Sequence, residues 1–141
     1  MHNLCDDMDF EHIGVAVSNI KESLSIFNNL FELKKEVSEI YEDTFQNIKI
    51  SFINLAGVKI ELVEPLDSSK KSPVDNIIEK NMSYYHLCFR TGCIEDEILQ
   101  LVEKGAIVVT EPIPSLAFRS RKMAFLYIKH LGLIELVEKE E

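Results

Sequence analysis

The pentapeptide IELVE occurs twice in this chain, at Ile60–Glu64 and at Ile134–Glu138. The two copies are 74 residues apart, and a histidine stands 49 residues before the central glutamate of each copy. The residues that recur at this spacing are His12, Glu61, His86 and Glu135. A short apolar segment can recur by chance, but the shared histidine spacing indicates a duplicated module.

Each half of the chain has the pattern of one strand, one helix and three further strands. In the first half, Asn19 and Glu22 fit a capping box at the start of a helix. In the second half, helical spacing begins at Ile94 and ends at Gly105, a predicted C-cap. The strands predicted after the helices are ELKKEV, IKISFINL and VKIELVE in the first half and AIVVTE, KMAFLYI and LGLIELVE in the second. We therefore predict an α+β fold of two tandem βαβββ modules.

The length of the chain predicts one domain with a short linker between the modules. Pro65 ends the strand of the first module, and Ser72, Pro73 and Asp75 resemble the start of a short helix. The predicted boundaries are 1–141 for the domain, about 10–64 for module one, about 65–82 for the linker and about 84–138 for module two.

Composition excludes several classes of function. Fifteen basic and 24 acidic residues give a net charge of −9, which repels the phosphates of nucleic acids. The chain has neither an 18-residue apolar run nor a basic leader, so we expect no membrane span and no signal peptide. The three cysteines, Cys5, Cys88 and Cys93, match no metal or redox spacing and argue against a disulfide framework. These features predict a reduced, cytoplasmic protein.

The alternation of side chains along a strand separates the repeated histidines and glutamates from the core. Ile60 and Leu62 share one face of their strand, and Glu61 points to the opposite face, as Glu135 does in the second copy. The same alternation in the histidine strands places Ile13, Val15, Val17, Leu87 and Phe89 under the helices. If the modules pair about a pseudo-twofold axis, the two imidazoles and two carboxylates can converge.

Two nitrogen and two oxygen ligands suit Ni, Co, Mn, Fe or Zn, with open positions for water or substrate. A structural zinc more often has thiolate ligands and a closed tetrahedron. We therefore expect one catalytic divalent metal ion, bound by His12, Glu61, His86 and Glu135.

The segments EHIGVAV, GVKIELVEPL, YYHLCF and KMAFLYIKHLGLIELVE resemble the vicinal oxygen chelate superfamily, which includes glyoxalase I. The resemblance covers about residues 10–138 and is closest to the methylmalonyl-CoA epimerase-type branch. It implies two βαβββ modules in an open, cup-like, mixed and antiparallel sheet, with helices on the outer face and one metal ion inside. One ligand comes from each of four strands, at the positions of His12, Glu61, His86 and Glu135.

The resemblance also implies a metal-dependent isomerase or epimerase that abstracts a proton next to a carbonyl or CoA thioester. It points to Glu135 as the main base, and Glu61 could serve the opposite face. The resembled epimerases are proposed to use a further glutamate on the strand before the second ligand. Here that strand, FQNIKISF, contains no carboxylate. The second proton-transfer group is therefore open.

The stretch PSLAFRSRKMAF places three basic residues before a strand: Arg119, Arg121 and Lys122. These cations could bind the carboxylate or phosphates of a small substrate, an acyl-CoA or another carbonyl acid or thioester. They could equally form a solvated basic turn. A homodimer is possible.

Two other functions remain as alternatives. A glyoxalase I-like lactoylglutathione lyase usually carries an arginine soon after the first histidine, whereas this chain continues GVAVSN. Antibiotic-binding proteins that resemble this fold have lost the metal ligands, whereas this chain retains all four candidates.

Overall fold

The computed structural model describes residues 8–31 and 36–140. The chain divides into two compact units. Among the described residues, we call 12–31 and 36–85 the first unit, and 8–11 together with 86–140 the second unit. The elements are β1 (Met8–Ala16), α1 (Ile20–Phe31), β2 (Tyr41–Asp43), β3 (Ile48–Leu55), β4 (Val58–Pro65), α2 (Asp75–Glu79), β5 (Tyr84–Thr91), α3 (Ile94–Glu103), β6 (Ile107–Ser115), β7 (Arg121–Ile128) and β8 (Gly132–Glu138).

In the first unit the strand order is β2-β3-β4-β1. Strand β1 pairs with β4 in parallel, and β4-β3 and β3-β2 are antiparallel. Helix α1 covers one face of the sheet through Ile20, which is 1% exposed. The core of this unit consists of Val15, Ile20, Ile53, Ile60 and Leu62, with Ile13, Val17, Leu24, Phe27 and Leu55 packed against it.

The second unit repeats this arrangement with the order β5-β8-β7-β6. Strand β5 pairs with β8 in parallel, and β8-β7 and β7-β6 are antiparallel. Its core consists of Ile94, Ile98, Ala106, Ala124, Leu126, Ile134 and Leu136, with Phe89, Leu101, Val108 and Ile128 packed against it. The matching order and direction of the strands confirm the two βαβββ modules. Leu87, predicted to lie under the helix, is instead 42% exposed.

The predicted helix ends are present. The side-chain Oδ1 of Asn19 accepts a hydrogen bond from the Glu22 amide at 3.0 Å, as an N-cap does. Gly105 has a φ of +106°, and the Ala106 amide donates to the Leu101 carbonyl oxygen at 2.9 Å. This is a Schellman-type C-cap, which needs the left-handed conformation that glycine adopts without strain. In the linker, Asp75 begins α2 and its side chain accepts from the Ser72 amide at 2.8 Å.

The first module differs from the prediction in its second strand. The segment ELKKEV was predicted to form it, but residues 32–35 lie outside the described residues. Val37 makes only an isolated bridge to Ile53, and the strand that pairs with β3 is β2, further along the chain. Since β2 has only three residues at the sheet edge, its sequence carries too few positions for an alternating pattern.

The expectation of reduced cysteines stays a prediction. The Cys88 thiol forms no disulfide bond and is buried, and Cys5 lies outside the described residues. Among the described residues, no helix combines the length and the apolar character needed to cross a membrane. The single-domain boundaries stay a prediction.

Candidate metal centre

The first unit brings His12 and Glu61 together. Strands β1 and β4 run parallel with Gly14 paired to Glu61, so His12 lies two residues before the partner of the glutamate. The Nε2 atom of His12 is 3.5 Å from Oε1 of Glu61, and the side chains are 0% and 6% exposed. Both side chains therefore present lone pairs at a position from which most water is excluded.

The second unit brings His86 and Glu135 together with the same register. Cys88 is paired to Glu135, so His86 again lies two residues before the partner of the glutamate. The Nε2 atom of His86 is 3.0 Å from Oε1 of Glu135, and the side chains are 0% and 5% exposed. A buried carboxylate is costly unless a cation or hydrogen bonds compensate it. Each pair could thus supply one nitrogen and one oxygen ligand to a metal ion.

A phenylalanine supports each histidine, and the sequence comparison of the halves missed both. Phe52 is the cross-strand neighbour of Glu61, and its ring meets that of His12 edge-on with the centroids 5.8 Å apart. Phe125 is the neighbour of Glu135 and meets His86 in the same way at 5.2 Å. Edge-to-face packing restrains the orientation of the imidazole.

The two phenylalanines are 73 residues apart, whereas the ligand candidates repeat at 74. The difference arises in the hairpins. Leu55 pairs with Val58 across a two-residue turn, whereas Ile128 pairs with Gly132 across a three-residue turn. A comparison of the two halves at the 74-residue offset therefore does not align Phe125 with Phe52. A comparison that allows one inserted residue in the β7–β8 turn aligns them.

Strand β2 lies beside β3 at the edge of the sheet. The Tyr41 ring lies 6.3 Å from the Phe52 ring. Asp43 is buried and accepts hydrogen bonds from the Gln46 amide and from Nε2 of Gln46, both at 2.9 Å. These bonds assign Asp43 to the turn that leads into β3. As the sequence indicated, β3 itself carries no carboxylate.

Cys88 occupies the position beside Glu135 that Gly14 occupies beside Glu61. Its thiol is fully buried and lies 3.9 Å from the carbonyl oxygen of Phe89. This environment fits the packing role considered for it from the sequence.

The three basic residues predicted to bind substrate have different surroundings. Arg121 donates from Nε to the Phe118 carbonyl oxygen at 2.9 Å and from Nη1 to the Glu138 carbonyl oxygen at 2.7 Å. Lys122 donates to Oε1 of Glu95 at 2.8 Å, and this hydrogen bond raises the pKa of Lys122 and lowers that of Glu95.

Arg119 is exposed. Arg119 and Arg121 line one cleft of the second unit together with Gly92, Glu138, Lys139 and Glu140, and Lys122 is not part of this lining.

A family model described as the Glyoxalase/Bleomycin resistance protein/Dioxygenase superfamily matches residues 11–125. The chain belongs to this superfamily. The match spans β1 to most of β7 and includes three of the four repeated histidines and glutamates. The family predicted from the sequence is therefore confirmed.

Relatives within the superfamily cover nearly the whole chain. The Bacillus subtilis protein YqjC, described as uncharacterized, is 30% identical over 131 residues, which are 91% of this chain and 90% of YqjC. Human mitochondrial methylmalonyl-CoA epimerase is 26% identical over 132 residues, which are 92% of this chain and 72% of the human protein. The crystal structure of the hypothetical protein BH1468 from Bacillus halodurans C-125 matches with a TM-score of 0.80 at 31% identity, covering 95% of this chain and 96% of that one. This likeness confirms the predicted fold.

Proposed function

We propose that His12, Glu61, His86 and Glu135 bind one divalent metal ion. Among the described residues, these four form a group of histidine and glutamate side chains that could hold a metal ion. The observation that carries the proposal is the identical register of the two pairs, with each histidine two residues before the strand partner of its glutamate. Such a repeated, buried arrangement is expected when both pairs serve the same ligand.

The donor set fits a catalytic ion. Two imidazole nitrogens and two carboxylate oxygens suit Ni, Co, Mn, Fe or Zn, and a site of this kind leaves positions for substrate. A metal bound there would act as a Lewis acid that polarises a substrate carbonyl oxygen. Neither described cysteine belongs to the group, which separates it from closed structural zinc sites.

We infer that the protein is a metal-dependent isomerase or epimerase that abstracts a proton next to a carbonyl or CoA thioester. The human relative named methylmalonyl-CoA epimerase supports this class of reaction. The relative YqjC supports the family and carries no assigned reaction.

Glu135 is the proposed base. Its carboxylate is 4% exposed and lies beside His86, so it can approach a substrate carbon without competing water. In the proposed step the carbon–hydrogen bond breaks and the proton moves to a Glu135 oxygen. A second group, for which Glu61 is the candidate, then returns a proton from solvent to the opposite face of that carbon, which inverts the centre.

Arg119, Arg121 and Lys122 remain the proposed contacts for the oxyanions of an acyl-CoA or other carbonyl acid. Arg119 is the best placed, because Arg121 and Lys122 already bind carbonyl and carboxylate oxygens of the protein. A cytoplasmic location and a homodimer stay predictions.

Retention of the two histidine–glutamate pairs disfavours the alternative of a non-catalytic binding protein. The superfamily description itself includes bleomycin resistance proteins, so this alternative is tested alongside the enzyme. A glyoxalase I-like lyase is tested with its own substrate.

The experiment combines elemental analysis of untagged protein with proton–deuterium exchange in heavy water. The two substrates are methylmalonyl-CoA and the glutathione hemithioacetal of methylglyoxal. We expect about one metal ion per chain, as one four-ligand group implies, and exchange into methylmalonyl-CoA. Exchange only into the hemithioacetal would favour the lyase. A protein that cannot be loaded with metal would contradict the proposal.

A further inference from the structure

A row of apolar side chains runs from His86 to the edge of the sheet in the second unit. Leu133 of β8 is the strand partner of His86 on β5, and it is also paired with Tyr127 of β7. Tyr127 is in turn paired with Ile107 of β6. Directly paired residues point to the same face of a sheet, so these side chains lie in one line across four strands. We call Leu133, Tyr127 and Ile107 the apolar row.

The apolar row lies on the face of the sheet that carries Glu135. Leu133 is two residues before Glu135 on β8, and residues two apart on a strand share a face. Tyr127 is two residues after Phe125, which is the strand partner of Glu135. The row therefore begins beside the proposed metal ligands and leads away from them.

Exposure increases along the apolar row. Leu133 is half-buried, Tyr127 is 44% exposed and Ile107 is 62% exposed. Neighbouring strands lie about 4.8 Å apart, so the row from Leu133 to Ile107 is roughly 10 Å long. Apolar surface that is continuous with a polar site is a common feature of ligand-binding grooves.

The equivalent positions of the first unit are polar. Phe52 is paired with Glu61 as Phe125 is with Glu135, and the next pair on the same face is Asn54 with Lys59. Asn54 and Lys59 thus correspond to Tyr127 and Leu133. Because both units have the same strand order and directions, the fold does not require apolar residues at these positions. The apolar row is therefore a specific feature of the site around His86 and Glu135.

We propose that the apolar row binds the alkyl chain of the substrate acyl group, and that the substrate is a thioester with a medium-length chain. This inference rests on the proposed function. With the thioester group beside His86 and Glu135, the chain would cover Leu133, the Tyr127 ring and then Ile107. A chain of this kind removes the row from water, whereas a short acyl group leaves most of it exposed.

The test measures binding of butyryl-CoA, hexanoyl-CoA and octanoyl-CoA to zinc-loaded protein by calorimetry. We expect the affinity of the wild type to rise about 2- to 4-fold with each added methylene, because each one is removed from water. Leu133→Ser should weaken the binding of all three. Ile107→Ser should abolish the gain from hexanoyl-CoA to octanoyl-CoA and leave butyryl-CoA binding unchanged. Leu131→Ser, at a turn residue that is 75% exposed, is the control and should behave like the wild type.

Three outcomes would overturn the inference: a wild type that binds none of the three thioesters, an affinity that does not depend on chain length, or the same dependence in both row variants as in the wild type. Because Ile107 is largely exposed, Ile107→Ser tests the row without disturbing the core. Zinc content, measured on the same samples, distinguishes the two proposals. Protein that binds zinc but does not respond to chain length contradicts only this inference. Protein that takes up no zinc contradicts the proposed function, and the inference with it.

Discussion

The Nε2 atom of His86 lies 3.0 Å from Oε1 of Glu135, and both side chains are almost completely buried. The equivalent atoms of the first unit, in His12 and Glu61, are 3.5 Å apart. A cation stabilises a buried carboxylate, and the affinity of that carboxylate for a proton depends on which cation is bound. Metal loading should therefore control both the stability and the reactivity of these pairs.

Glu135→Gln is the first variant to make. The amide keeps the size of the side chain and one oxygen for the metal but cannot accept the substrate proton. We expect part of the metal to remain and α-proton exchange into methylmalonyl-CoA to fall at least ~100-fold, the usual contribution of a general base. Nuclear magnetic resonance of the substrate in heavy water measures the rate. Glu111→Gln, at an exposed position of β6, is the control for loss of a charge. Undiminished exchange in Glu135→Gln would remove Glu135 as the base.

His12→Ala and His86→Ala should each lower the metal content sharply, because each removes one of the two proposed nitrogen ligands. Elemental analysis after dialysis measures the stoichiometry. His130→Asn is the matched control, since His130 lies in the exposed β7–β8 turn at a φ of 72°, which asparagine tolerates. Full metal content in either alanine variant would show that the ligand set is wrong.

Phe125→Leu tests whether the ring orients His86. The substitution keeps an apolar side chain but removes the edge-to-face contact at 5.2 Å, worth about 0.5–1.5 kcal/mol. We expect weaker metal binding, measured by competition with a chelator, and a smaller free energy of unfolding in denaturant titrations. Phe45→Leu, at a residue that is 79% exposed, controls for the loss of a ring. If both variants bind metal like the wild type, the ring does not position the ligand.

The Lys122–Glu95 ion pair predicts a pH effect on stability. The hydrogen bond from Lys122 lowers the pKa of the Glu95 carboxyl below its ordinary value of 4.5. A carboxyl with a lowered pKa contributes stability above that value, and the contribution is lost as the pH falls through the pKa of the folded state. Both side chains are largely exposed, so the effect on stability should be small. Titration followed by nuclear magnetic resonance should show the Glu95 pKa rising in Lys122→Met, and an unchanged pKa would contradict the pairing.

Local sequence patterns were enough to predict the duplicated modules, the helix caps and the four candidate metal ligands. These features follow from local rules, because hydrophobic spacing and capping residues act within a few positions of the chain. Asn19 and Gly105 illustrate this. Asn19 caps the first turn of α1 and Gly105 lies just beyond the last turn of α3, and the hydrogen bonds of both caps join near neighbours in the chain. The faces of Glu61 and Glu135 followed from the two-residue period of a strand.

The contacts between the candidate ligands and residues distant in the sequence could be identified only from the tertiary structure. Phe52 and Phe125 reach the histidines through the register of antiparallel hairpins, and one extra residue in the β7–β8 turn conceals their equivalence in the sequence. Lys59 approaches Phe52, and Arg121 binds the Glu138 carbonyl oxygen, through contacts that no local pattern encodes. A one-residue change of register would turn these side chains to other faces, so the pairing of the strands had to be known before their neighbours could be identified.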